Sequence, residues 1–375
     1  VNFTVDLLKD LKIDIISNRT YQENYSENFR IDPTDLSYQQ LTPNTSGNFN
    51  ISTLTIGTAF SPNTIDSSPV FDTFRDNRLL VAERLAQDFY GNNTYTRDAD
   101  GFPEGFSRNS QNVLLPAFLA AYEGRDVSDQ KNGAFKDVPL PNWTLKYTGL
   151  MNLKWFKKRF NRFSINHGYR SSYTINQFQT NLDFVDGARG VDYAQQNSLS
   201  LNQNGDFKAS NLFFNINLAE QFSPLIKLDF EMKNSMSIAA EIRRDRAISL
   251  SFDNNLLTEI NGNELILGVG YRWKDLRFKT KVGGRSTVIK SDLNMRLDGS
   301  IRDNVTIIRY LDLDNSQATA GQTIYGLKFS AEYAISAAFT TLFYYDHTFS
   351  EFAISTAFPQ TTIRSGFTLR YTFGN

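Results

Sequence analysis

Cysteine is absent from this chain of 375 residues, which excludes disulfides, thiolate metal sites and cysteine nucleophiles. Histidine is nearly absent: only His167 and His347 occur. No run approaches the roughly 20 apolar residues that a membrane helix needs, so a helical membrane protein is excluded. An excess of one charge is missing too. Lys and Arg number 39 against 40 Asp and Glu, a net charge of -1, so no basic field points to nucleic acid. The first residue is Val1, with no Met and no secretory apolar stretch, which suggests a processed chain or a piece of a longer one. The length exceeds one ordinary soluble core and would suffice for two or three domains.

What the chain does have is aromatic side chains and alternation. It carries 31 Phe and 17 Tyr but 3 Trp. Period-two patterning dominates. In "LIKLDFEMK", Ile226, Leu228, Phe230 and Met232 share one face, and Lys227, Asp229, Glu231 and Lys233 the other. Leu265, Leu267, Val269, Tyr271 and Trp273 form a second apolar row. Beyond an expected tight turn at Lys274-Asp275, Leu276, Phe278 and Val282 oppose Arg277, Lys279 and Lys281. Ile289, Leu293, Met295 and Leu297 oppose Lys290, Asp292, Asn294 and Arg296.

Such strands, one face apolar and the other ionic, exceed the usual soluble length of about 5–6 residues. Charged faces cannot stack into a doubly buried core. Lipid tolerates no unpaired sheet edge, so the expected fold is all-β: an antiparallel transmembrane β-barrel wall with a short α-helical insertion. The rhythm predicts fourteen to sixteen strands, two of them before residue 61. Segments 1–60 and 142–375 read as barrel strands, and 61–141 as a helical insertion or plug-like segment. A large soluble β-sandwich is the plainer alternative.

Within the insertion, Ser68-Pro69 has the form of an N-cap followed by Pro at the first helical position. Phe71, Phe74, Val81, Leu85 and Phe89 recur at helical spacing, and Gly91 offers a stop. "VLLPAFLAAY" predicts a second helix closed by Gly124. Together they hold too few apolar residues to cross a bilayer and are expected to fill or line the lumen or to pack at one mouth.

Sites for chemistry are few. His167 and His347 fall in the apolar phase of their strands, suited to an aromatic belt rather than to catalysis. Asp98 to Gly101 lacks an EF-hand pattern and reads as a solvated turn, and Asp312, Asp314 and Asn315 are weaker still. Gly268-Val269-Gly270 opens no helix, so a dinucleotide reading fails. No catalytic residue, metal or cofactor is expected. "KWFKKRFNR", Lys154 to Arg162, suits anionic head groups at a membrane face. The terminal strand, with Gly366, Phe367, Leu369, Tyr371 and Phe373, has the form read by outer-membrane assembly machinery, Gly366 permitting close backbone approach. The candidate lumen-facing row is Lys227, Asp229, Glu231, Arg277, Lys279, Lys290, Asp292 and Arg296, whose mixed signs suit a non-adhesive wall.

Several stretches resemble one known family. "NSQNVLLPAFLAAYEG" (109–124), "PLPNWTLKYTGL" (139–150), "SINHGYRSSYTI" (164–175), "TEINGNELILGVGYRWKDLRF" (258–278), "SDLNMRLDGSIRDN" (291–304) and "AISTAFPQTTIRSGFTLRYTF" (353–373) are similar to the SprA/Sov family. These are outer-membrane translocons of the type IX secretion system, linked to gliding motility in Bacteroidetes. The resemblance implies that this chain is the C-terminal part of a much longer one and of a very large barrel. It also implies a wide gated pore passing folded cargo proteins to the cell surface. The implied partners are outer-membrane lipids, the remainder of the long chain and a lipoprotein shuttle barrel of the PorV type. A periplasmic plug protein, a peptidyl-prolyl isomerase-like subunit and secreted cargo complete the set. A stand-alone porin or small-solute transporter is the alternative expectation.

Overall fold

The computed structural model describes residues 1–91, 94–184, 201–282, 285–313, 315–335, 339–352 and 358–372. Before the insertion come β1 (Asn2–Leu8), β2 (Leu11–Ile16), β3 (Arg19–Ile31) and β4 (Tyr38–Ser52). The insertion holds α1 (Pro69–Tyr90) and α2 (Gln111–Glu123). After it come β5 (Asn142–Tyr147), α3 (Lys154–Arg159), β6 (Phe160–Thr180), β7 (Asn211–Phe213), β8 (Asn215–Met232) and β9 (Met236–Ser251). Long strands finish the chain: β10 (Leu256–Val282), β11 (Arg285–Tyr310), β12 (Ser316–Ala334), β13 (Phe339–Phe352) and β14 (Gln360–Tyr371).

All fourteen strands belong to one antiparallel sheet. The main path runs β1-β2-β5-β6-β8-β9-β10-β11-β12-β13-β14, while β4 (carrying β3) and β7 pair onto β6. Among the described residues β1 and β14 do not pair with each other, so the sheet is open. Four strands precede residue 61, not two. They form two hairpins, β1–β2 and β3–β4; in β3 "RTYQENYSENFRI" carries Glu23 and Glu27 in the same phase as Tyr21, Tyr25 and Phe29, which blurs the alternation.

The tight turn expected at Lys274-Asp275 is a bulge. β10 runs through it, with Trp273 opposite Leu293 and Leu276 opposite Ser291. One extra residue is absorbed there, and Asp275 takes φ 58°. The bulge returns Leu276 to the face of Trp273.

α1 begins at Pro69 and stops at Gly91, whose φ of 69° is the left-handed geometry that favours glycine. Ser68 occupies the N-cap position, but its side chain makes no capping hydrogen bond. α2 ends the same way at Gly124, φ 67°.

Phe74, Val81, Leu114 and Phe118 of the helices share one buried core with Phe49, Ile51, Tyr173, Ile175, Ile216, Ile248 and Leu250 of the sheet. Those strand residues lie in the phase of the apolar rows. Among the described residues the helices therefore cover one end of the apolar face and not the ionic face. Their apolar stripes leave water only against an apolar partner, which the ionic face cannot provide.

Candidate functional site: the two faces of the sheet

Register aligns the apolar rows across strands. Ile226, Ile242, Leu265, Ile301, Tyr325 and Phe349 stand side by side from β8 to β13. Towards the other end of the strands, Met236, Tyr271, Met295, Ala331, Phe343 and Phe367 do the same from β9 to β14. Nothing among the described residues covers this band: Leu267 is 53% exposed and Trp273 52%. On β10 it runs from Leu265 to Trp273, close to the ~9–11 residues of a transmembrane strand tilted ~45°.

The band has two defined margins. On the helix side a polar row crosses the same face: Arg244, Asn263, Asp303, Thr323 and Glu351. Thr323 Oγ1 donates to Asp303 Oδ1 at 3.0 Å, and the Arg244 guanidinium lies 5.1 Å from the centre of the Phe60 ring. The opposite margin is aromatic, with Tyr271, Trp273 and Tyr333 on the strands and Trp155 on α3.

The other face is ionic. All eight candidate lumen-facing residues share it: Lys227, Asp229 and Glu231 on β8, Arg277 and Lys279 on β10, and Lys290, Asp292 and Arg296 on β11. Lys227 pairs with Glu241 at 3.0 Å, Glu241 with Arg243 at 2.5 Å, and Arg243 with Glu264 at 3.4 Å. Arg302 then bridges Glu264 (3.6 Å) and Asp245 (3.0 Å), so opposite charges alternate from β8 to β11. Arg162–Asp229, Arg272–Asp292, Lys290–Asp275 and Arg296–Asp298 add pairs around it. The outer, more exposed pairs such as Lys290–Asp275 each contribute only ~0–1 kcal/mol, whereas Glu241 at the centre of the ladder is buried among its partners. Their consequence is a hydrated wall of mixed sign, with little single-sign attraction.

Glu241, Arg243, Asp245, Glu264 and Arg302 escaped the sequence reading. In "EIRRDR" Arg244 and Arg246 belong to the opposite face, so charge falls in both phases and alternation is lost. A local mark of the row is Gly262: a Cβ there would stand 2.6 Å from Asp245 Oδ2, so the glycine leaves room for that carboxylate.

Beneath the helices, two buried ion pairs tie the insertion to the sheet. Arg246 meets Glu220 at 3.0 Å, and Glu220 also accepts from Thr55 Oγ1 (2.6 Å) and Tyr169 Oη (2.9 Å). Arg309 meets Glu259 at 2.9 Å, and Tyr122 Oη on α2 donates to Glu259 at 2.6 Å. Arg309 donates onward to Asn63 Oδ1 and the Thr64 carbonyl. A third buried carboxylate, Glu123 at the end of α2, accepts from Thr53 and Lys136. Burial lowers the Lys136 ammonium below the usual lysine range, with Glu123 opposing. Burial likewise pushes the Arg78 guanidinium down to about 10, against the attraction of Asp312.

The remaining candidates resolve into structure. His167 Nδ1 lies 2.6 Å from the Leu225 carbonyl oxygen, and His347 sits beside Tyr345; both occupy the apolar face. Asp98 Oδ1 accepts from the backbone N–H groups of Asp100 and Phe102, a local turn. Asp312 accepts from Asn109 and pairs with Arg108, while Asp314 lies outside the described residues. Among the described residues no group of three or more acidic or histidine side chains could hold a metal.

On β14, Phe367, Leu369 and Tyr371 extend the apolar face, and Gly366 lies on the ionic face opposite Tyr344. Phe373 lies outside the described residues. A Cβ on Gly366 would stand 2.7 Å from Tyr344 Oη, so the glycine accommodates a neighbouring ring rather than a close backbone. No protein-family model matches the sequence, and no curated protein matches it either.

Proposed function

We propose that this chain is part of the wall of an outer-membrane β-barrel, and that the barrel is the protein-conducting translocon of a type IX secretion system. The observation that carries the membrane part is the uncovered apolar band, held in register over successive strands and margined by polar and aromatic rows. The ionic face then lines a water-filled lumen, where alternating charge limits adhesion of folded cargo. The free edges at β1 and β14 would pair with the remainder of a longer wall. The secretion part rests on the SprA/Sov resemblance alone. It brings a PorV-type shuttle barrel, a plug protein and an isomerase-like subunit as partners, and no catalysis in the wall.

Orientation follows from loop length. The 233–235 link between β8 and β9 lies at the Trp273 end, and the insertion leaves the sheet at the other. In outer-membrane barrels short turns face the periplasm, which puts α1 and α2 at the cell surface.

The absence of cysteine gives a clean test. In intact membranes Leu267→Cys should resist a water-soluble maleimide, while Arg296→Cys should react. Rapid labelling of Leu267→Cys alongside protection of Arg296→Cys would sink the membrane reading. For secretion, loss of the protein should trap cargo in the periplasm, and purification should bring down a second barrel. A barrel that purifies alone and conducts only small solutes would instead be a porin.

A further inference from the structure

The short helix α3 carries four cations, Lys154, Lys157, Lys158 and Arg159, all exposed. None of the four takes part in an ion pair among the described residues, although the neighbouring Arg162 pairs with Asp229 on the ionic face. Behind the cations stands an aromatic stack. The Arg159 guanidinium lies 4.8 Å from the centre of the Trp155 ring, and Trp155 packs on Phe156 and Phe160. Phe156 packs in turn on Phe163, which stacks on Phe230 at 5.6 Å. Phe163 and Phe230 are cross-strand partners on the apolar face, so the stack is continuous with the uncovered band. Unpaired cations at the edge of an apolar belt meet phosphate at the depth where acyl chains end.

We propose that α3 is a binding site for the phosphate head groups of anionic phospholipids at the short-turn rim. This rests on the membrane reading above. Trp155 and Phe156 sit at the level of the acyl–glycerol boundary, and the four cations face the head groups. Lysine supplies point charge, so the site selects for anionic charge and not for a particular head-group shape.

The test uses the assembled wall, this chain together with the remainder that closes it, in nanodiscs of phosphatidylcholine, with and without one-fifth phosphatidylglycerol. Native mass spectrometry reads the lipids retained on release. Retained phosphatidylglycerol should be enriched several-fold over its share of the bilayer. Enrichment should vanish in Lys154→Gln/Lys157→Gln/Lys158→Gln/Arg159→Gln and fall steeply in high salt, but survive millimolar inorganic phosphate. Displacement by inorganic phosphate would make this a free-anion site and overturn the proposal. So would equal enrichment in the quadruple variant. Entry into the bilayer without enrichment overturns the head-group site alone, whereas failure to enter either nanodisc overturns the membrane reading with it.

Discussion

At the scale of single residues, Gly366 and Lys136 have the clearest consequences. Gly366→Val would drive a branched side chain into the Tyr344 ring. Overpacking of this kind costs about 1–3 kcal/mol. Urea unfolding should show that loss, and Tyr344→Ala in the same chain should restore part of it. Lys136→Met strands Glu123, whose side chain is fully buried, with Thr53 and a long contact to Arg125. Removing one partner of a buried pair costs about 3–5 kcal/mol, and adding Glu123→Gln should recover much of it. The pH dependence has a definite sign. Because burial lowers Lys136 in the folded state, the unfolded chain binds more protons between the folded value and the ordinary 10.5. This residue's contribution to stability therefore rises with pH across that window, and its burial cost is complete below it. The stability of wild type relative to Lys136→Met should climb as pH approaches 10.5; a flat difference would refute the assignment.

Elements show which signals are local. Pro69, Gly91 and Gly124 marked the helix ends correctly, because φ restriction and left-handed geometry belong to single residues. Alternation likewise marked the second half of β8, the first half of β11 and the 265–273 stretch of β10, where each face has one chemistry. It is blurred at β9, where a tertiary partner overrides the pattern: Arg246 is apolar-phase but buried against Glu220. It also mistook the bulge at Asp275 for a chain reversal, since both place a left-handed residue between two amphipathic runs. Deleting Asp275 should separate these. Removing the extra residue straightens the ladder: Lys274 stands opposite Asp292 and Leu276 stays opposite Ser291, so Arg277 and Lys279 keep the ionic face. The expected outcome is assembly close to wild type, with no new protease sensitivity near residue 277. A large loss of assembled protein would mean that Asp275 sits in a chain reversal.

For the whole molecule, the decisive quantity is the environment of the apolar face. Leu267→Arg puts a charge amid the band and should cost about 2–4 kcal/mol if that face meets lipid, as for midplane Arg in outer-membrane barrels. Arg296→Leu, on the ionic face, should stay within ~0.5 kcal/mol, as surface changes usually do. Refolding of the closed wall into bilayers measures both, and equal effects would remove the distinction between faces. The sequence by itself determined that distinction: alternation with period two is a property of the extended backbone, so each strand's apolar and ionic sides could be read before any partner was known. Only the tertiary structure decided that the helices cover the apolar side, that Glu241, Arg243, Glu264 and Arg302 join into one ladder, and that the band has straight margins. Those depend on register between strands and on which element packs where, and both are set by contacts between residues far apart in the chain.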